Sequence, residues 1–290
     1  MRYLPLLLVL SFLMTASTLW AQPQAYAFFN QKGKAVKYDK MLKELEKADI
    51  VFFGEMHNNP ICHWLQLELA RDLYAREDQN LVLGAEMFES DNQLLINEYF
   101  LNYISEKNFE QEARLWPNYQ TDYKPLVSFA KENGLSFVAT NVPRRYAAAV
   151  YRNGLKTLGS LPEYSKVFIA PLPIREDYDL SLYKEMLEMG GHTGGGEPKN
   201  FPQAQMIKDA TMAHFIYGNW SEGELFLHFN GSFHSDKKEG IVWYLRQLNP
   251  NLKIVVISSV EQEQVTRLDQ DNEGRGDYIL AVPERMTKTY

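Results

Sequence analysis

The chain has 290 residues, with 30 Lys and Arg against 37 Asp and Glu, a net charge of −7, and a single cysteine, Cys62. An acidic balance without a basic run excludes nucleic acid and anionic membrane surfaces as expected partners. One cysteine excludes an internal disulfide, so the fold must rest on its hydrophobic core.

The N-terminus reads as a secretory signal peptide over 1–21. Arg2 precedes an apolar run from Leu4 to Leu13, and Leu19-Trp20-Ala21 offers a cleavage site after Ala21. The run is shorter than the ~20 residues that a membrane span needs. The expected destination is therefore secreted, periplasmic or extracellular.

Further along, Ile50–Phe53 is a short β-branched and aromatic run stopped by Gly54, which predicts a buried strand. Cys62–Arg76 has apolar residues at helical spacing, and Leu81-Val82-Leu83 predicts a strand that ends at Glu86. Tyr123–Glu132 predicts a helix stopped by Gly134, Leu135–Thr140 a strand, and Pro143–Leu155 a helix opened by proline. Val167-Phe168-Ile169 reads as another short strand. From Ser181 to Tyr217 helical signals dominate, and a helical insert is expected over about 175–220. The glycine-rich stretch inside it, 190–196, is followed by Glu197-Pro198 rather than Lys-Ser or Lys-Thr, so it is not a phosphate-binding loop. Strands return at Leu225–Phe229, Ile254–Ser258 and Tyr278–Val282, with a helix near Ile241–Leu248. Alternating strands and helices predict an α/β fold, a mostly parallel sheet flanked by helices with a smaller helical insert or subdomain.

Two copies of Gly-x-x-His, Gly54-Glu55-Met56-His57 and Gly231-Ser232-Phe233-His234, stand at the ends of predicted strands. In an open α/β sheet, ligands gather outside the carboxyl ends of the strands, so His57 and His234 are expected to converge. Glu86, at the end of the intervening strand, is the third member, because a carboxylate closing a buried run needs a partner. Two histidines and a carboxylate suit a divalent metal such as zinc or manganese, and equally a metal-free general-base site; the residue types are the same. Glu55 either orients His57 or serves as a helix N-terminal acid. Arg144 and Arg145 follow a strand and a proline, so one guanidinium is expected to enter the crevice and hold a carboxylate. His192, near Met186 and Met189, has the side-chain type of an iron ligand. His63, His214 and His228 read as packed or surface residues. Ser232 lacks the second glycine of a nucleophile elbow, which speaks against a serine hydrolase.

The motifs Gly54-Glu55-Met56-His57, Gly84-Ala85-Glu86-Met87, Asn141-Val142-Pro143-Arg144-Arg145, Asp209-Ala210-Thr211-Met212-Ala213 and Asn230-Gly231-Ser232-Phe233-His234, in this order, resemble the ChaN family. This family of haem-binding, iron-regulated bacterial lipoproteins lies in a superfamily with Tiki and TraB proteins and the erythromycin esterases. The resemblance spans roughly 49–282 and implies one ChaN-like α/β domain over 22–290. It implies haem as ligand and a role in haem and iron uptake, with a homodimer and an outer-membrane uptake receptor as possible partners. Tiki-like relatives imply the alternative of metal-dependent proteolysis, and the esterases that of metal-free hydrolysis. Either would use His57, Glu86 and His234, with Arg144 beside them. For haem, the resemblance and the residues point to Arg144, Arg145 and His192. The family's lipid attachment requires a cysteine at the cleavage site; the signal region has none, so a lipid anchor is not expected. Tyrosine is the family's expected haem ligand, but none of the 17 tyrosines falls in these motifs.

Overall fold

The computed structural model describes residues 24–76, 80–190 and 197–290. The expected signal peptide, the glycine-rich stretch and His192 lie outside the described residues. A short antiparallel pair, β1 (Ala27–Asn30) and β2 (Ala35–Val36), opens the fold, followed by α1 (Tyr38–Leu45), β3 (Ile50–Glu55) and α2 (Pro60–Tyr74). Then come β4 (Asn80–Glu89), α3 (Gln93–Phe100), α4 (Glu106–Glu112), a π-turn at Tyr119–Tyr123, α5 (Lys124–Glu132), β5 (Ser136–Asn141) and α6 (Arg144–Asn153). The remainder is α7 (Glu163–Lys166), α8 (Ser181–Gly190), α9 (Asn200–Gly218), β6 (Glu224–Gly231), α10 (Ile241–Leu248), β7 (Ile254–Gln262) and β8 (Tyr278–Pro283).

The eight strands form one sheet in the order β2-β1-β8-β7-β3-β6-β4-β5, parallel from β8 to β5, with β1 and β2 antiparallel at one edge. All six residues of β3 are buried, as expected for a parallel strand covered on both faces. Its side chains alternate between two cores. Val51 and Phe53 pack with α1, α2 and α5, whereas Ile50 and Phe52 pack with α6, α9 and α10. The helices expected as an insert belong to this second layer: α9 lies against β5, α6, α8 and α10. Because α9 is covered almost all round, Met206, Ile207, Ala210 and Met212 meet apolar neighbours, while Asp209 is carried into the interior with them.

One strand expectation fails. Val167-Phe168-Ile169 is the turn that leaves α7, with Val167 63% exposed, and the Phe168 carbonyl accepts a bond from Ser90 Oγ at 2.7 Å instead of a ladder partner. Among the described residues no helix is long and apolar enough to cross a membrane.

Candidate functional site

The adjacent parallel strands β3 and β6 pair Gly54 with Asn230 and Glu55 with Gly231, so their carboxyl ends leave the sheet side by side. This register explains both glycines. A Cβ on Gly54 would lie 2.8 Å from the Ser232 Cα, and one on Gly231 would lie 2.7 Å from His57 Nε2. Each motif's glycine is the space into which the other motif packs. On the far side of β6, the pairing of β4 with β5 shifts register between Ala85 and Glu89, which turns Glu86 toward the same crevice.

His57 is held from its own strand and from the helical layer. Its Nδ1–H donates to Glu55 Oε1 at 2.8 Å, the direction fixed because a carboxylate only accepts. Glu55 is buried and also accepts from Tyr123 Oη, at 2.7 Å, and from Gln66 Nε2. Behind the ring, the His57 carbonyl accepts from Asn118 Nδ2 at 3.1 Å and lies 3.0 Å from His63 Nε2. Trp116 meets the imidazole edge-on, with ring centres 4.9 Å apart. Burial works against the charged imidazole, yet the Glu55 bond and the charge of Glu86 raise its pKa above the ordinary value.

His234 sits between two acids. Its Nε2 is 3.0 Å from Glu86 Oε1, and its Nδ1 contacts Asp209 Oδ1. Glu86 Oε2 accepts the Gly231 N–H at 2.7 Å, and Asp209 Oδ2 accepts from Tyr183 Oη at 2.7 Å. Burial opposes the charge on His234, but Glu86 and Asp209 overcome it and lift the pKa to about 9. Burial would raise Glu86, and the neighbouring imidazolium outweighs it, holding the carboxyl well below its usual range. Asp209 stays above its ordinary value because its burial is the dominant influence. The two acids thus favour the charged form of His234.

The geometry lends no support to the expected divalent metal on His57, Glu86 and His234. Both ring nitrogens of His234 face carboxylates, Nε2 toward Glu86 and Nδ1 toward Asp209. Among the described residues no group of three or more His, Cys, Asp or Glu side chains can hold a metal ion.

The site opens into a cavity of about 810 Å³. One part of its lining is apolar, from Met56, Leu115, Trp116, Pro117 and Phe233; another carries Asn141, Arg144 and Lys208. Among the described residues neither Arg144 nor Lys208 forms an ion pair, and the Asn141 Oδ1 atom is buried without a partner. Arg145 diverges from Arg144. It pairs with Asp91 at 2.6 Å, lies over the Tyr146 ring and is not part of the lining. His63 and His228 are buried; His228 contacts Thr140 Oγ1 at 2.8 Å and Asn230 Oδ1 at 3.1 Å, and burial drops its pKa to about 4, so it is neutral. His214 is partly buried, which lowers its pKa.

A family model described as haem-binding uptake, Tiki superfamily, ChaN matches residues 41–245. The chain belongs to the ChaN family. It is similar to ChaN of Campylobacter jejuni, whose solved structure shows cofacial heme binding, at 20% identity and a TM-score of 0.65, covering 88% of this chain and 96% of that one. That likeness establishes the fold. The type III effector HopBA1 is more distant, with 12% identity, a TM-score of 0.47 and coverage of 84% and 92%. Among curated proteins, the chloroplastic RETICULATA-RELATED 5 of Arabidopsis thaliana is 30% identical over 133 residues, 44% of this chain. The chain spans only 18% of that relative's length.

Asp209, Tyr123, Gln66, Trp116 and Lys208 were not reached as site residues from sequence. Asp209 carries a signal, since it is the lone acid on a long helix rich in apolar residues. Trp116 carries none, because it arrives from a segment without periodic mark, and Tyr123, although it opens a predicted helix, has nothing local to point it at Glu55.

Proposed function

We propose that this ChaN-family chain binds haem as cargo in the cavity beside His57, and serves haem and iron acquisition after export. The observation that carries this reading is the mixed lining: aromatic and apolar side chains share the cavity with Arg144 and Lys208, neither of which forms an ion pair among the described residues. A flat apolar ring system bearing two carboxylates has the complementary distribution. The residues present fit such a group. Arg144 and Lys208 would take the propionates, and Asn141, with its amide turned, would donate to one of them. The iron-binding residue types in the lining are Met56, His57 and His234, and His234 faces its two acids through both ring nitrogens. His57 has a ring nitrogen without a hydrogen bond and a carboxylate orienting the other, the usual arrangement of a metal-ligating histidine. In this reading His57 would hold the haem iron through that nitrogen.

Titration of the mature protein with hemin should give a saturable Soret band. His57→Ala should change the band's position, and Arg144→Ala should weaken binding without changing it. A flat titration of the unsubstituted protein would remove the reading.

A second reading draws on the Glu55–His57 pair. A carboxylate-oriented imidazole next to an imidazolium favoured by two acids is also the layout of a metal-free general base that activates water against an ester. If ester turnover disappears in His57→Ala while the protein stays folded and hemin leaves the spectrum unchanged, this second reading replaces the first.

A further inference from the structure

Arg144 and Lys208 belong to two cavities at once. Beyond them a groove of about 240 Å³ continues between α6 and α9, lined by Ala147, Ala148, Tyr151, Met186, Phe201 and Ala204, with Gln205 beside the cations. The two helices run so that Arg144 faces Lys208 at one end of the groove. At the other end Tyr151 meets Phe201 edge-on, with ring centres 6.2 Å apart. Between these ends the walls are largely alanine, and Ala148 and Ala204 leave the floor open to solvent. Seven residues separate the cation from the aromatic stop on either helix, which is about 10 Å at 1.5 Å per residue.

The arrangement is a slot with a positive mouth, an apolar interior and a closed end. Arg144 sits in the first turn of α6, where a cation opposes the helix dipole and Pro143 supplies no side-chain cap. Arg145, its neighbour in that turn, is neutralised by Asp91, whereas among the described residues Arg144 and Lys208 form no ion pair. An anion between them would satisfy both, and an apolar chain attached to it would leave water along the alanine walls. We infer that the α6–α9 groove binds a free fatty acid, its carboxylate between Arg144 and Lys208 and its acyl chain running toward Tyr151 and Phe201. A straight chain of about eight carbons fills that length at ~1.5 Å per bond. The inference does not require haem to bind. If haem does bind as proposed above, the two ligands share the cations and must compete.

The test is calorimetric titration of the full chain with butanoate, hexanoate, octanoate and dodecanoate, with octanol as the uncharged control. Affinity should rise about fourfold per added methylene up to octanoate and level off by dodecanoate, while octanol binds at least tenfold more weakly than octanoate. Ala204→Trp, which fills the groove outside the haem cavity, should weaken octanoate binding tenfold or more and leave the hemin titration unchanged. Ala148→Trp, at a solvent-exposed position, provides the same block should the first variant fail to fold. Equal affinity along the series, octanol binding as well as octanoate, or octanoate binding that survives a folded tryptophan variant would each overturn the inference, whatever hemin does.

Discussion

The two Gly-x-x-His loops begin alike and end in opposite electrostatic states. His57 has one carboxylate partner and is partly open to the cavity; His234 is buried between two acids and holds its proton to about pH 9. The same four-residue pattern therefore yields one imidazole open to the cavity and one held in its charged form by two acids. The difference lies in what each strand exit meets: β3 opens toward the Trp116 segment, whereas β6 runs into Asp209 on a fully covered helix. A motif fixes where a side chain starts, and the neighbouring layer decides its charge.

The largest break in this comparison is expected from Glu86→Leu. It leaves the His234 charge with only Asp209 and should cost about 3–5 kcal/mol in chemical denaturation. The pH dependence comes next. Because the folded pKa of His234 is raised from 6.5 to about 9, its contribution, about 3 kcal/mol, is complete below pH 6.5 and lost as pH rises through 9. Glu86 works in the other direction, since its depressed pKa gives stability above the ordinary carboxylate range that is lost on acidification. Denaturation midpoints between pH 6 and 10 should fall in the unsubstituted protein and stay much flatter in His234→Gln. Gly231→Ala should cost about 1–3 kcal/mol by forcing a methyl against His57 Nε2, and should also perturb the His57 ring resonances. A variant with native stability and an unmoved ring would show that the two loops are not packed as described. Glu55→Gln sharpens the comparison on the other side. It should move the His57 titration downward, as read by NMR, and leave that of His234 in place. The smallest effect is expected from Arg145→Ala, under about 1 kcal/mol, since its pair with Asp91 is half-exposed.

How much of this could be read from the sequence follows from how strongly each element is patterned. Strands β3 to β8 and helices α2, α5, α6, α9 and α10 announce themselves by apolar runs or helical spacing closed by glycine or proline. The hairpin β1–β2 does not, being four and two residues long at a sheet edge. Helix α4 buries only Phe109, so it carries no periodicity to detect. Val167-Phe168-Ile169 carries the opposite error, with β-forming residues in a turn whose carbonyl is satisfied by a side chain. At the site, His57, Glu86 and His234 were reachable because they close strands, and the parallel register of β3, β6 and β4 brings them together. The charge state of His234 was not, since it depends on Asp209, on a helix whose depth no local pattern reveals. The separate fates of Arg144 and Arg145 rest on Asp91, more than fifty residues upstream, and adjacent positions in a helix give no hint of them.

The pairing of β3 with β6 also has a consequence for biogenesis. The first loop emerges from the ribosome early, but the glycine it packs against, the acid-bound histidine and the helix bearing Asp209 are all made much later. Until β6 slots in beside β3, the central strand lacks a neighbour and the cavity has no second wall. The protein thus passes through synthesis without a competent half-site. The walls around His57 are therefore complete only once strands far apart in the sequence have paired.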